Sequence, residues 1–369
     1  MASNPATEQP ARMQSPADGP GRTAHAVVRR LLASQEVGLV CVIVVLLAAL
    51  TALAGSHLDR RAGEMVNNFW NSATLLQTLT DASFFAIMAV GATVVIISGG
   101  IDLSVGSIYA LAGVTMALVL RALGPVSDLE TVLVGLAICL TVGVLAGLLN
   151  GVAVVGLRVH PFIVTLGTMW ILRGIAFVIS NAESILVPGS LTRAINASIG
   201  LEETLSPIPM LGMLLVTAVG SLYLTRTVMG RHVFAFGGSP EASRYSGLRL
   251  DRIQVGVFVV SGLTAGLAAY LGIGFYGSAS SGDAAGYELY VIASAVVGGA
   301  SLIGGKGSAL GAMLGAFLIV LIRQSIRTLH FDQNYEWIII GCAIILAVVV
   351  DRWSGRVAAR RLAQAGAAA

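Results

Sequence analysis

Ten predominantly apolar runs, each at least seventeen residues long, follow one another along this chain: 37–55, 82–98, 104–122, 130–152, 161–180, 207–225, 253–275, 288–304, 307–328 and 335–351. A helix rises about 1.5 Å per residue, so each run is close to the length that crosses about 30 Å of hydrocarbon. Runs of this length predict helices, and so many in one chain predict an all-α polytopic membrane protein of about ten spans. Two places suggest a broken or re-entrant helix. One lies near 98–104, where Gly99 and Gly100 end a run. The other lies within 288–328, where only Gly305 and Lys306 separate two runs.

Lipid is the solvent this composition requires. Charged residues make up 11% of the chain and hydrophobic residues 56%, with a mean hydropathy of +0.85. Soluble domains carry about 25% charge, and a soluble fold of 369 residues would lack a polar shell here. The 44 glycines fall largely within apolar runs, where they let spanning helices approach or break. Cys41, Cys139 and Cys342 also lie in apolar runs, without metal-ligand or CxxC spacing, and read as packing or lipid-facing residues.

The basic residues set the orientation. With the N-terminus inside, inner segments hold 15 of the 22 Lys and Arg, outer segments hold 6, and Arg173 lies within a span. Both termini are therefore expected in the cytoplasm. Residues 1–36 lack apolar periodicity and read as a disordered cytoplasmic tail; residues 354–369 read as a second tail. The membrane-spanning body is 37–353. Ala52-Leu53-Ala54 resembles a signal-peptidase site, but the polar stretch before the first run is too long for a signal peptide, so that run is expected to stay. Residues 226–252 form an inner loop with five arginines, and 181–206 an outer loop.

No catalytic constellation emerges. The five histidines show no metal-ligand spacing. The nearest approach to a phosphate-binding loop, at 299–308, has Ala300 where its first glycine belongs and Gly307 where Ser or Thr is needed. No ATP site or cofactor is expected, and any ATP motor is another polypeptide. No basic patch with interleaved aromatics points to nucleic acid. Stretch 99–107 echoes 298–305, which an internal repeat and shared Gly/Ser composition explain equally well.

Polar residues inside apolar runs are candidates for function. Asp102 and Ser104 follow the Gly99-Gly100 break, where either caps the next helix or lines a hydrophilic path. Arg173 sits mid-span, where an arginine costs about 2.5–3.5 kcal/mol to insert, and Thr165 and Thr168 precede it. Asp283, Tyr287 and Glu288 stand at the outer end of a run, as a mouth or as interfacial anchors. In the inner loop, Gly237-Gly238 reads as a turn, Ser239 as a cap, and Pro240 as the first residue of a short helix. Glu241 follows in its first turn, then Arg244 and Tyr245, and Gly247 ends it.

Four blocks carry a resemblance: GGIDLSVGS at 99–107, HPFIVTLGTMWILRGIAF at 160–177, GRHVFAFGGSPEASRYSGL at 230–248, and GYELYVIASAVVGGASLIGGKGSALGAMLGAF at 286–317. In this order, over roughly 70–353, the chain resembles the permease subunits of ribose-type bacterial ABC sugar importers. The resemblance implies a multi-pass protein of the bacterial inner membrane that moves a monosaccharide by alternating access. It implies a cytoplasmic ATPase subunit that docks on a coupling helix at 238–247, a periplasmic or lipid-anchored sugar-binding protein, and a second permease copy. A branched-chain amino-acid permease is the nearest alternative and would depart from the Ile101-Asp102-Leu103-Ser104 pattern. An ion-coupled transporter needs membrane carboxylates, and only Asp81, Asp102, Asp283 and Glu288 approach the membrane. An intramembrane enzyme needs a nucleophile–base or metal set that the sequence lacks.

Overall fold

Local capping signals and long apolar stretches divide the chain into helices with few strands. The structure is a computed structural model that describes residues 35–58, 64–125, 127–198 and 206–332, with scattered positions from 334 to 345. In chain order the elements are α1 (Gln35–Leu53), β1 (Ser56–Leu58), β2 (Met65–Asn67), α2 (Ser72–Ile97), α3 (Val105–Leu123), α4 (Asp128–Leu157), α5 (Pro161–Ser180), β3 (Ile185–Leu186), α6 (Gly189–Ile195), α7 (Ile208–Arg226), α8 (Val228–Gly238), α9 (Pro240–Tyr245), α10 (Leu250–Tyr276), β4 (Ser278–Ala279), α11 (Tyr287–Val297) and α12 (Ala309–Thr328). Strands β1 and β2 pair antiparallel, as do β3 and β4.

Eight of these helices are long and apolar enough to cross a membrane: α1, α2, α3, α4, α5, α7, α10 and α12. The chain is an all-α polytopic membrane protein. The ninth expected run is a correction in length. It yields only the eleven residues of α11 before the helix stops. Most of the tenth, 335–351, the second tail and residues 1–34 of the first fall outside the described residues, while residues 35 and 36, expected in the first tail, open α1.

Helix α2 is the axis of the molecule. It is buried from Ala82 to Ile97, which explains why its sequence is apolar on every face. Helices α7, α10, α11 and α12 pack against it, while α1, α4, α5 and the far side of α7 present much of their apolar surface outward. The α4–α10 contact is backbone on backbone. A methyl group on Gly143, Gly147 or Gly151 would overlap the backbone at Gly262, Phe258 or Val255, and one on Gly266 would overlap the Cys139 carbonyl. The four-residue spacing of the α4 glycines puts them on one face, and their small size brings the two axes together.

Both expected breaks are present, and both are built the same way. At the end of α2, Gly99 adopts a positive φ of 86°, Gly99 N donates to Ile96 O (2.9 Å), and Gly100 N donates to Val95 O (3.0 Å). At the end of α11, Gly299 has φ 99°, Gly299 N donates to Val296 O (2.9 Å), and Ala300 N donates to Ala295 O (2.9 Å). Each is a helix C-cap in which glycine supplies the left-handed residue. The sequence echo is thus one turn made twice. The two turns also touch: Gly305 N donates to Ile97 O at 2.8 Å. Gly237, at the end of α8, is wedged between them, so close to Ile97 O and Gly305 N that a Cβ would collide with both.

Candidate functional site

Three groups of polar residues stand out from the apolar body. The first joins two sets that the sequence treats separately. Arg173 lies twelve residues into α5, about 18 Å from its first residue. Its Nη1 donates to the carbonyl of Ser281 (2.8 Å) and to that of Asp283, more than a hundred residues away. The Asp283 carboxylate accepts from Ser280 N (2.8 Å) and closes the 280–283 turn. Glu288 follows in the first turn of α11. Its Oε2 is buried, meets no hydrogen-bond donor among the described residues, and lies 2.7 Å from where a Cβ on Gly106 of α3 would sit. Tyr287 stacks against Phe85, with ring centroids 4.4 Å apart, and stands 6.3 Å from Tyr109. The Arg323 guanidinium lies 5.6 Å and 5.2 Å from the rings of Phe85 and Tyr290. Arg173, Asp283, Tyr287, Glu288 and Arg323 are all partly exposed. Hydrocarbon does not tolerate so many charged groups, so the face they share meets water or protein.

The second group is sealed. Asp102 is 1% exposed and Ser104 fully buried. The Asp102 carboxylate accepts from Ser104 N (2.9 Å), Ser104 Oγ (2.6 Å) and Ser261 Oγ of α10 (2.8 Å), while Asn150 Nδ2 of α4 donates to Ser104 Oγ (2.7 Å). Ser104 occupies the N-cap position of α3, but its side chain makes no capping bond; Asp102 holds its backbone N–H instead. Ser261 is eleven residues into α10, about 16 Å along that helix. The non-helical 98–104 segment therefore carries the chain inward, and α3 starts at depth. Thr165 of α5 donates to Ile101 O (3.0 Å) and anchors the same segment, whereas Thr168 donates to Thr165 O within its own helix. The sequence reading missed Asn150 and Ser261. Asn150 had a readable signal, a primary amide in an apolar run; Ser261 had none.

The third group is α9. Its Ser239 cap accepts from Ala242 N, Pro240 takes the first helical position, Glu241 lies in the first turn, and Gly247 follows with φ 78°. One detail is corrected. Gly237 and Gly238 are not a turn but the last residues of α8, with Gly237 packed between α2 and the α11–α12 connection. Glu241, Arg244 and Tyr245 are exposed, Tyr245 by 91%.

Residues 74–348 match the family described as branched-chain amino acid transport system / permease component. Similar proteins include a ribose import permease protein of Haemophilus influenzae, 37% identical over 79% of this chain and 89% of that one. Others are a D-allose transport system permease protein of Escherichia coli, 35% identical over 77% and 85%, and a fructose import permease protein of Rhizobium meliloti, 32% identical over 79% and 81%. The family match spans α2 through α12, including all three polar groups. The chain belongs to this family of ABC-importer permeases, in the branch of the ribose-type import permeases.

Proposed function

We propose that this chain is the permease subunit of an ABC importer for a monosaccharide. The observation that carries the cargo class is the similarity, over more than three quarters of the chain, to relatives named for ribose, allose and fructose. The Arg173–Asp283–Glu288 cluster suits such cargo. Carboxylates accept hydroxyl protons, a guanidinium donates, and the Tyr287 ring offers an apolar face. The family description names branched-chain amino acids, but the sugar-named relatives favour sugar.

In this reading the β3–β4 end faces outward, both termini lie in the cytoplasm, and a binding protein presents sugar to the mouth formed by Asp283, Tyr287 and Glu288. Arg173 fixes the 280–283 turn at that mouth. Asp102, Ser104, Thr165 and Thr168 hold the wall behind it. Two permease copies enclose the path. Gly238, Ser239, Pro240, Glu241, Arg244, Tyr245 and Gly247 make the contact with the ATPase subunit, and displacement of α9 switches the bundle between inward-open and outward-open states. This chain contributes positioning and gating, with ATP hydrolysed elsewhere.

The test is uptake into vesicles that contain this chain, its ATPase and its binding protein. Sugar accumulation should require ATP. Accumulation indifferent to ATP but abolished by collapsing the ion gradient overturns the proposal.

A further inference from the structure

The turn between α4 and α5 takes three residues: Arg158, Val159 and His160. Arg158 adopts φ 55° and ψ 35°, a left-handed conformation that a residue with a Cβ seldom takes. Such a backbone persists where the surroundings fix it. Pro161 then starts α5, and the Phe162 N–H donates to His160 Nδ1 at 3.3 Å. The turn is thereby pinned, with Arg158 exposed beside it.

Arg158 does not stand alone. It shares a cleft of about 750 Å³ with Arg244 of α9. Val154 and Val155 contribute apolar surface to its walls, and Asp251 and Gln254 of α10 add polar lining. Two arginines from separate elements thus line one cavity that contains one carboxylate. Among the described residues, no carboxylate comes within salt-bridge distance of either. The cleft also shares a wall with α9, so whatever docks on α9 reaches it.

We infer that this cleft is a second contact for the ATPase subunit and receives an acidic loop of that partner. The inference rests on the reading of α9 as the ATPase contact, and it adds the α4–α5 turn to that surface. Charge complementarity selects the occupant: an aspartate or glutamate side chain neutralises the two guanidinium groups, and the valines meet the apolar part of the loop. The docked loop then bridges α4, α9 and α10, so ATPase movement is applied to the glycine-packed α4–α10 pair as well as to α9.

The experiment is co-purification of the ATPase with the permease in nanodiscs of neutral lipid, at low and at raised salt. Arg158→Glu should weaken ATPase association about ten-fold or more, and Arg158→Lys should largely restore it. Arg244→Glu, on a different element, should repeat the loss, and the thermal unfolding of each variant in the nanodisc should match that of the wild type. Wild-type association should fall with salt, and less steeply in Arg158→Glu. If Glu241→Arg disrupts association while Arg158→Glu does not, the cleft is overturned and α9 stands. If the wild type itself binds no ATPase, the reading of α9 falls and the cleft with it. If Arg158→Glu loses only the response to added anionic lipid, the arginines serve lipid headgroups and the inference is overturned.

Discussion

Asp102 accepts three hydrogen bonds in a space closed to water, and two of the three donors are side chains that also tie α3 to α10 and, through Asn150, to α4. Removing the carboxylate strands the Ser104 N–H and the Ser261 hydroxyl, and each orphaned buried group costs about 1–3 kcal/mol. Asp102→Ala should therefore lower the thermal midpoint of the detergent-solubilised protein sharply, and Asp102→Asn much less, since the amide keeps an acceptor. Equal midpoints for wild type and Asp102→Ala would remove the network's structural role. The sequence singles out Asp102 and Arg173, because a charge in or beside an apolar run is conspicuous. It did not reveal their partners. Arg173 bonds two carbonyls, and every residue has a carbonyl, so no residue type marks the contact. Ser261 is equally silent, being one hydroxyl in a helix full of small residues.

Among the elements, α9 was the most legible. Its cap, first-turn proline and terminal glycine are local signals within nine residues, and local signals survive into the fold. Helix α11 was the least legible. Hydropathy runs unbroken through 288–304, but the left-handed turn at Gly299 stops the helix, and hydropathy does not record backbone handedness. The α4–α10 contact lies between these extremes, since abundant glycine suggests close approach without naming the pair. It leads to a contrast within one helix. Gly147→Leu puts a side chain into the α10 backbone and should cost about 1–3 kcal/mol or more. Gly156→Leu, nine residues nearer the end of α4, meets nothing within 4 Å and should be tolerated. The check is the folded fraction that survives heating in detergent, and equal survival of the two variants would refute the packing argument.

At the level of the whole molecule, the proposed orientation rests on charge. In the proposed orientation, read from the arginine distribution, α9 lies inside and the β3–β4 end outside. With the exposed Cys41 and Cys342 replaced by serine, Cys139 remains buried against Ala112 and Met116. In that background Ser246→Cys should react with an impermeant thiol reagent only in inverted vesicles, and Leu186→Cys only in right-side-out ones. The reverse pattern would invert the topology and place α9 out of reach of any cytoplasmic ATPase. The outward apolar faces of α5 and α7, which include Trp170, Ile171, Leu215 and Val219, need lipid or a second copy against them.

Gly237, wedged between the two helix-ending turns, carries a consequence for the gene. Every single-base change of a glycine codon that alters the amino acid installs a Cβ. At codon 237 that atom has nowhere to go, because the Ile97 carbonyl and the Gly305 amide already hold the space. At codon 238, one residue on, the same atom meets nothing within 4 Å. Two adjacent glycine codons thus stand at opposite ends of the scale of mutational tolerance, and packing alone should leave variation free at one and hold it fixed at the other.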